Sequence, residues 1–299
     1  MAPPTKSSIP LFARRQPQYM HPPHHLRSHY TNFPDPTLYS PTHKTYIKIR
    51  RVGRQNFAAE MYNISYLIHN TPFNVVSMDS EYPGVIYGSS DMQYRNPLAQ
   101  YWLMKANIDQ LGLIQVGFTL SDSADNLATL APRRTIVVWE FAIFDFDERI
   151  HPHNPESISM LKSRALNFEF HRVEGIPSYD FARAMLDIGL VGGANEVHCV
   201  TFHGAYDFGY LIKALTRSTP PDSLQDFLNL VQLYFGEHIY DVKYMIKPFS
   251  YLLQSFGTVL IDEGQYRPAE AHPGVVYSVG LRWQLGHLGA SENNCWLGV

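Results

Sequence analysis

The hydrophobic and polar positions along this chain predict strands first, and then an alternation of strands with helices. Short apolar, β-branched runs bounded by turn residues mark the strands, and apolar residues at helical spacing mark the helices. The predicted elements are strands near 73–79, 113–120 and 135–144, helices near 157–166 and 178–188, a strand near 197–202, and helices near 207–216, 223–234 and the C-terminus. This order is typical of an α/β fold.

The first of these strands ends in two carboxylates. Asp79 and Glu81 directly follow the apolar run 73–78. Because alternate side chains of a strand project to the same face, these two acids share one side of the sheet. Neighbouring carboxylates repel each other unless a cation lies between them, and Mg²⁺ prefers such oxygen ligands. The alternative is a solvated strand end that carries two acids, since the pattern is short.

A second candidate carboxylate lies far downstream, where a strand leads into a helix. Asp207 follows the predicted strand near 197–202 and precedes residues at helical spacing. Open α/β folds build their sites at this end of the sheet. As an alternative, Asp207 is a helix N-terminal carboxylate stabilised by the helix dipole. His203, just before it, is then a packed turn residue instead of a base.

Five segments keep the order and approximate spacing of a known family. They are residues 78–84, 101–109, 113–120, 202–213 and 239–245. In these segments the chain resembles the catalytic deadenylase subunit of the CCR-NOT mRNA-decay complex. That subunit belongs to the DEDD superfamily of 3′-to-5′ exonucleases. The resemblance extends from about residue 49 to about residue 250.

The resemblance implies a fold, a chemistry and partners. The fold is RNase H-like, with a mixed β-sheet flanked by helices. In the family, four acids hold two divalent ions, Mg²⁺ or Mn²⁺, which activate water for in-line attack on a phosphodiester. Asp79, Glu81 and Asp207 match three of these catalytic and metal-binding acids. The implied substrate is the poly(A) tail of mRNA, and the implied partners are the scaffold and companion nuclease subunits of a CCR-NOT-type complex.

The fourth acid of the family has no counterpart here, and no aspartate follows Asp262. Alignment on the glycines places Val275 or Val276 at its position. If His272 is the general base, Tyr277 falls there instead. Because valine cannot coordinate a metal, the two-ion site is expected to fail and catalysis to be weak or absent.

Two further polar features have ordinary interpretations. Asp241 is interpreted as a helix-start acid, and the family keeps this stretch without using it as a ligand. His151 and His153 lie in a Pro-rich loop without a third partner nearby. We therefore interpret them as loop histidines and not as a transition-metal site.

Composition separates a basic tail from an acidic remainder. The first 51 residues hold nine prolines and eight Lys or Arg against one Asp, whereas the net charge of the whole chain is −3. We predict a disordered tail over residues 1–48 and one exoribonuclease domain over residues 49–299. The tail either holds RNA phosphates through counterion release or is a solvated extension.

The chain contains no candidate membrane span or disulfide framework. No apolar run approaches the roughly 20 residues of a membrane helix. Two cysteines, Cys199 and Cys295, do not make a disulfide scaffold. We predict a soluble protein of the cytoplasm and nucleus, with no membrane partner.

Three functions agree with these observations. The first is an active poly(A)-specific exoribonuclease in which another group replaces the missing acid. The second, which we favour, is a deadenylase-family member with weak or no catalysis that keeps its fold, its place in the complex or its poly(A) binding. The third is an RNA-binding protein that uses the basic tail and the old active-site groove.

Overall fold

The computed structural model describes residues 47–88, 96–124, 126–130, 135–193 and 196–245. Within these ranges a seven-stranded sheet is flanked by eight helices. The strands are Ile47–Val52 (β1), Val75–Glu81 (β2), Gln115–Ser121 (β3), Thr129–Leu130 (β4), Thr135–Ala142 (β5), His198–Thr201 (β6) and Ile239–Asp241 (β7). The helices are Phe57–Asn70 (α1), Pro97–Gln110 (α2), Pro155–Ser163 (α3), Phe168–Glu174 (α4), Ser178–Asp187 (α5), Ala205–Thr216 (α6), Leu224–Phe235 (α7) and Val242–Met245 (α8).

The sheet is mixed, and β2 lies inside it. The strand order is β1-β5-β3-β2-β6-β7, with β4 paired to β5. β3 runs antiparallel to β2 and to β5, whereas β1 with β5, β2 with β6, and β6 with β7 are parallel. The predicted fold class, an α/β fold with a mixed sheet and flanking helices, is confirmed.

One face of the sheet packs against α1, α2, α5, α6 and α7 in a single hydrophobic core. The Phe181 ring of α5 lies 4.9 Å from Phe141 and 5.8 Å from Phe118, measured between ring centroids. Met78 of β2 belongs to the same core. Because strand side chains alternate, Ser80 shares this helix-covered face, whereas Asp79 and Glu81 project from the other face.

Helices α2 and α6 pack closely, and polar contacts fix their relative position. A Cβ atom placed on Gly209 of α6 would lie 2.2 Å from Cδ1 of Ile108 in α2. Lys213, one turn later, donates to the carbonyls of Ile108 at 2.5 Å and Leu111 at 2.9 Å. Its ammonium group therefore caps the C-terminus of α2, and burial lowers the Lys213 pKa.

Every strand and helix predicted within the described residues is present, with ends that differ by a few positions. The structure adds elements that the pattern did not indicate: β1, β4, β7, α1, α2 and α4. The short helix α8 begins directly after Asp241, which agrees with the interpretation of that residue as a helix-start acid. The predicted C-terminal helix lies outside the described residues. The division of the chain at residue 48 stays a prediction. Among the described helices, none is long and apolar enough to cross a membrane.

Candidate active site

The C-terminal end of strand β2 carries the two acids that the sequence singled out. Asp79 pairs with Gly117 of β3, and Glu81 pairs with Gln115. Both acids are half-buried, while Ser80 between them is buried. The alternation expected from the sequence is therefore present, and both carboxylates leave the same face of the sheet.

Asp207 approaches these acids from helix α6. It lies in the first turn of the helix and is 5% exposed. Its Oδ1 atom accepts hydrogen bonds from the Ser80 backbone N–H at 2.8 Å and from the Ser80 hydroxyl at 2.5 Å. The carboxylate thus joins α6 to β2 at the residue between Asp79 and Glu81.

Burial and neighbouring negative charges raise the pKa of both Asp79 and Asp207. Burial raises the pKa of Asp79 well above its ordinary value, and the negative charges of Asp207 and Glu81 raise it further. Burial likewise raises the pKa of Asp207 to about 7, although the hydrogen bonds from Ser80 oppose this change. The charges of Glu81 and Asp241 add to the increase at Asp207. A divalent cation at this place would relieve the repulsion.

The turn before α6 is organised by Asp241. This residue ends β7, and its Oδ1 accepts from the Tyr244 N–H of α8 at 3.3 Å, as a helix-start acid does. The same carboxylate also accepts from the backbone N–H groups of His203 and Gly204, both at 3.0 Å. The sequence interpretation missed this second role because residues 203 and 241 meet only in the fold.

His203 has the surroundings of a packed turn residue. Burial lowers its pKa, and the nearby Lys243 ammonium group lowers it further, while Asp241 opposes both. Its backbone φ is +63°, in the left-handed region. We therefore interpret His203 as a residue of the supporting turn and not as a catalytic base.

Aromatic rings line the helix-covered side of the same strand end. Tyr82 stacks on Tyr206 with centroids 5.1 Å apart, and Tyr210 lies at the same distance from Tyr82.

Asn107 of α2 accepts from the backbone N–H groups of Ile86 at 2.8 Å and Tyr87 at 3.0 Å. Helix α2 thereby anchors the loop that follows Glu81.

The donor chemistry at Asp79, Glu81 and Asp207 suits Mg²⁺ or Mn²⁺, because all three side chains offer carboxylate oxygens. In the described part of the chain, however, no group of three or more His, Cys, Asp or Glu side chains stands close enough to form a finished metal centre. One oxygen of Asp207 is already engaged by Ser80. The predictions for His272, Val275, Val276 and Tyr277 lie outside the described residues.

The two loop histidines have local partners. His151 Nδ1 accepts from the Asp147 backbone N–H at 2.9 Å, and His153 Nδ1 lies 2.9 Å from the His151 carbonyl. Both rings lie near Phe146. These contacts agree with the interpretation of the pair as loop histidines.

The mixed sheet, with acids at the end of an inner strand and in the first turn of the helix after a neighbouring strand, defines the class as an RNase H-like exonuclease fold. Solved structures agree. The Mg²⁺- and Mn²⁺-bound form of S. pombe Pop2p covers 80% of this chain and 91% of its own, at 32% identity and a TM-score of 0.67. Yeast CAF1, co-crystallized with the NOT1 MIF4G domain, covers 85% and 92% at 27% identity and a TM-score of 0.62.

Sequence comparisons identify the family within this class. A probable CCR4-associated factor 1 homolog 7 of Arabidopsis thaliana is 34% identical over 201 residues, which cover 67% of this chain and 72% of the relative. The poly(A) ribonuclease pop2 of Schizosaccharomyces pombe is 37% identical over 199 residues, covering 67% of this chain and 56% of the relative. No family model matches. The chain belongs to the CCR4-associated factor 1/Pop2 family of poly(A) ribonucleases, which confirms the resemblance found in the sequence.

Proposed function

We propose that this protein binds the oligo(A) end of RNA through a divalent-metal site at Asp79, Glu81 and Asp207, and that its catalysis is weak or absent. The observation that carries the proposal is the hydrogen bonding of Asp207 to Ser80, the residue between Asp79 and Glu81. Asp207 is near enough for its negative charge to add to the effect of burial in raising the pKa of Asp79. Bound Mg²⁺ or Mn²⁺ would supply Lewis-acid stabilisation of the phosphodiester.

Weak catalysis is proposed from the sequence. Three acids suffice to hold one ion, whereas a two-ion clamp needs the fourth ligand that residues 267–280 do not offer. A fully active deadenylase with a compensating ligand is the competing function. We also propose that the protein is located in the cytoplasm and the nucleus.

The assay that tests this function uses a 5′-labelled RNA ending in an oligo(A) run, with Mg²⁺ or Mn²⁺ present. The variant Asp79→Ala/Glu81→Ala serves as the control, and an RNA ending in oligo(U) tests base preference. We expect metal-dependent binding of the oligo(A) end with little or no shortening. Rapid stepwise shortening that the control variant lacks would establish the competing function, and no binding to either RNA would contradict the proposal.

We also propose that the chain docks on a NOT1-type scaffold. The support is its likeness to CAF1 in the complex with the NOT1 MIF4G domain, across 85% of this chain. Co-elution of the full chain with a purified NOT1 MIF4G domain in gel filtration is the expected result. Separate elution at micromolar concentrations would contradict a stable interface.

A further inference from the structure

The turn that leads into α6 has a backbone conformation that needs support. His203 adopts a φ of +63°, which side-chain-bearing residues rarely occupy. At the next position, a Cβ atom on Gly204 would lie 2.4 Å from the Thr201 hydroxyl oxygen. The chain therefore turns tightly here, three to four residues before Asp207. Any relaxation of the turn would move the first turn of α6.

Asp241 supports this turn from a different strand. Its Oδ1 accepts from the His203 N–H and its Oδ2 from the Gly204 N–H, so both carboxylate oxygens hold the turn. The side chain comes from β7 and is 2% exposed. Its bond to the Tyr244 N–H is longer, at 3.3 Å, and capping the four-residue α8 does not account for the other two contacts.

Ser80 of β2 holds the Asp207 side chain itself. Its N–H and its hydroxyl both donate to Oδ1 of Asp207, which leaves Oδ2 as the oxygen not used by Ser80. The Ser80 side chain lies on the opposite face of β2 from Asp79 and Glu81, and its hydroxyl is already donated to Asp207. Asp207 is thus held through its carboxylate by β2, while Asp241 of β7 holds the turn that precedes its helix.

We infer that Ser80 and Asp241 are positioning residues that set Asp207 against Asp79 and Glu81, without touching the metal themselves. This inference rests on the proposed metal site. Groups that hold a metal ligand in place without touching the metal typically change metal affinity about 10–100-fold when they are removed. Ser80 is expected to act on the orientation of the carboxylate, and Asp241 on the position of the helix that carries it.

The test combines Mn²⁺ affinity, measured by calorimetry, with hydrogen–deuterium exchange of residues 203–210. Ser80→Ala removes the hydroxyl donor, and Ser80→Thr restores it. Asp241→Asn keeps one acceptor oxygen and replaces the other by an NH₂ group. That group is a hydrogen-bond donor, so it cannot accept from the backbone N–H of His203 or Gly204. The control is Asp222→Asn, because the Asp222 side chain is 87% exposed.

We expect Ser80→Ala and Asp241→Asn each to weaken Mn²⁺ binding about 10–100-fold. Ser80→Thr and Asp222→Asn should bind like the wild type. Exchange over residues 203–210 should accelerate in Asp241→Asn and stay unchanged in the control. A merely structural role would lower the melting temperature of Ser80→Ala and Ser80→Thr alike and would not produce the recovery of affinity in the threonine variant.

Two results would overturn the inference. One is wild-type Mn²⁺ affinity in both Ser80→Ala and Asp241→Asn, and the other is unchanged exchange over residues 203–210 in Asp241→Asn. If the wild type itself binds no Mn²⁺, the proposed metal site fails. The exchange measurement then decides by itself whether Asp241 holds the turn.

Discussion

Asp207 is a carboxylate in a place that disfavours its charge. It is almost fully buried, and its pKa is raised to about 7, chiefly by burial. An unfolded Asp has a pKa of about 3.9. Between these values the unfolded state releases the proton while the folded state keeps it, so this group destabilises the fold increasingly as pH rises from about 4 to about 7.

Replacing Asp207 with Asn should therefore stabilise the metal-free protein at high pH. Each unit of pKa difference corresponds to about 1.4 kcal/mol, and the gain should be complete above pH 7 and vanish near pH 4. Thermal unfolding of both proteins at pH 4 and pH 8 measures this gain. Mn²⁺ should raise the melting temperature of the wild type at pH 8 but not that of the variant. A variant that melts lower than the wild type at pH 8 would contradict this account.

A second residue-scale prediction concerns the buried Glu60 of α1. Its carboxylate accepts from Trp139 Nε1 at 2.9 Å and from Arg50 Nε at 2.9 Å. Glu60→Gln removes the charge that pairs with Arg50, and we expect a loss of about 1.5–3 kcal/mol in the free energy of unfolding. The matched change is Asp187→Asn, whose half-exposed pair with Arg183 should contribute about 0.5 kcal/mol or less.

Chemical denaturation of the wild type and these two variants measures their free energies of unfolding. Equal losses for Glu60→Gln and Asp187→Asn would mean that burial does not strengthen the Glu60 contacts. An unchanged midpoint for Glu60→Gln would contradict the prediction outright.

At the residue scale, the sequence alone was enough to single out Asp79, Glu81 and Asp207 as candidates, because motif spacing and strand alternation act locally. It was not enough to find the role of Ser80. Ser80 is part of the same short motif, but its partner Asp207 is 127 residues away. Asp241 was found as a helix-start acid and its second role was missed, because the turn that it holds is contributed by another strand. Contacts between distant segments are set by the fold and leave no local signal.

At the scale of elements, the crossing of α2 and α6 depends on the absence of a side chain at Gly209. Glycine lowers the intrinsic stability of a helix by about 1 kcal/mol relative to alanine, so a packing requirement has to outweigh that preference. The requirement is the Cδ1 atom of Ile108, which occupies the space of a Cβ at position 209.

Gly209→Ala should destabilise the protein by about 1–3 kcal/mol, because overpacking exceeds the gain in helix propensity. Ile108→Val removes the clashing Cδ1 atom. The double variant should therefore be more stable than the sum of the two single changes predicts. Urea denaturation of all four proteins measures this coupling. A coupling near zero would contradict direct contact between the two positions.

There are physical reasons why the sequence pattern missed some elements, such as helix α2 and strand β1. Helix α2 buries Lys105 and Asn107 beside its apolar residues, so its buried face is not a clean hydrophobic stripe. Asn107 is buried because it bonds the loop after Glu81, and Lys105 donates to Asp109 at 2.8 Å. Strand β1, with charged residues at Lys48, Arg50 and Arg51, is an edge strand paired only to β5 in the described sheet. Such elements acquire their burial from tertiary partners.

For the whole molecule, family membership and fold are clear, and the metal site is the proposal on which the function depends. Asp207 bonds to Ser80, the residue between Asp79 and Glu81, and the structure of S. pombe Pop2p is a Mg²⁺- and Mn²⁺-bound form. The sequence predicts that the fourth acid is absent. We therefore expect Asp79, Glu81 and Asp207 together to hold one divalent ion.

Calorimetric titration of the full chain with Mn²⁺ at pH 8 measures whether these three acids bind the ion. At this pH Asp207, with its pKa of about 7, is mostly ionised. We predict one bound ion per chain in the wild type and at least about a 10-fold loss of affinity in both Asp207→Asn and Asp79→Ala/Glu81→Ala. Two bound ions would contradict the missing fourth ligand, and Mn²⁺ binding that survives both sets of substitutions would contradict the site itself.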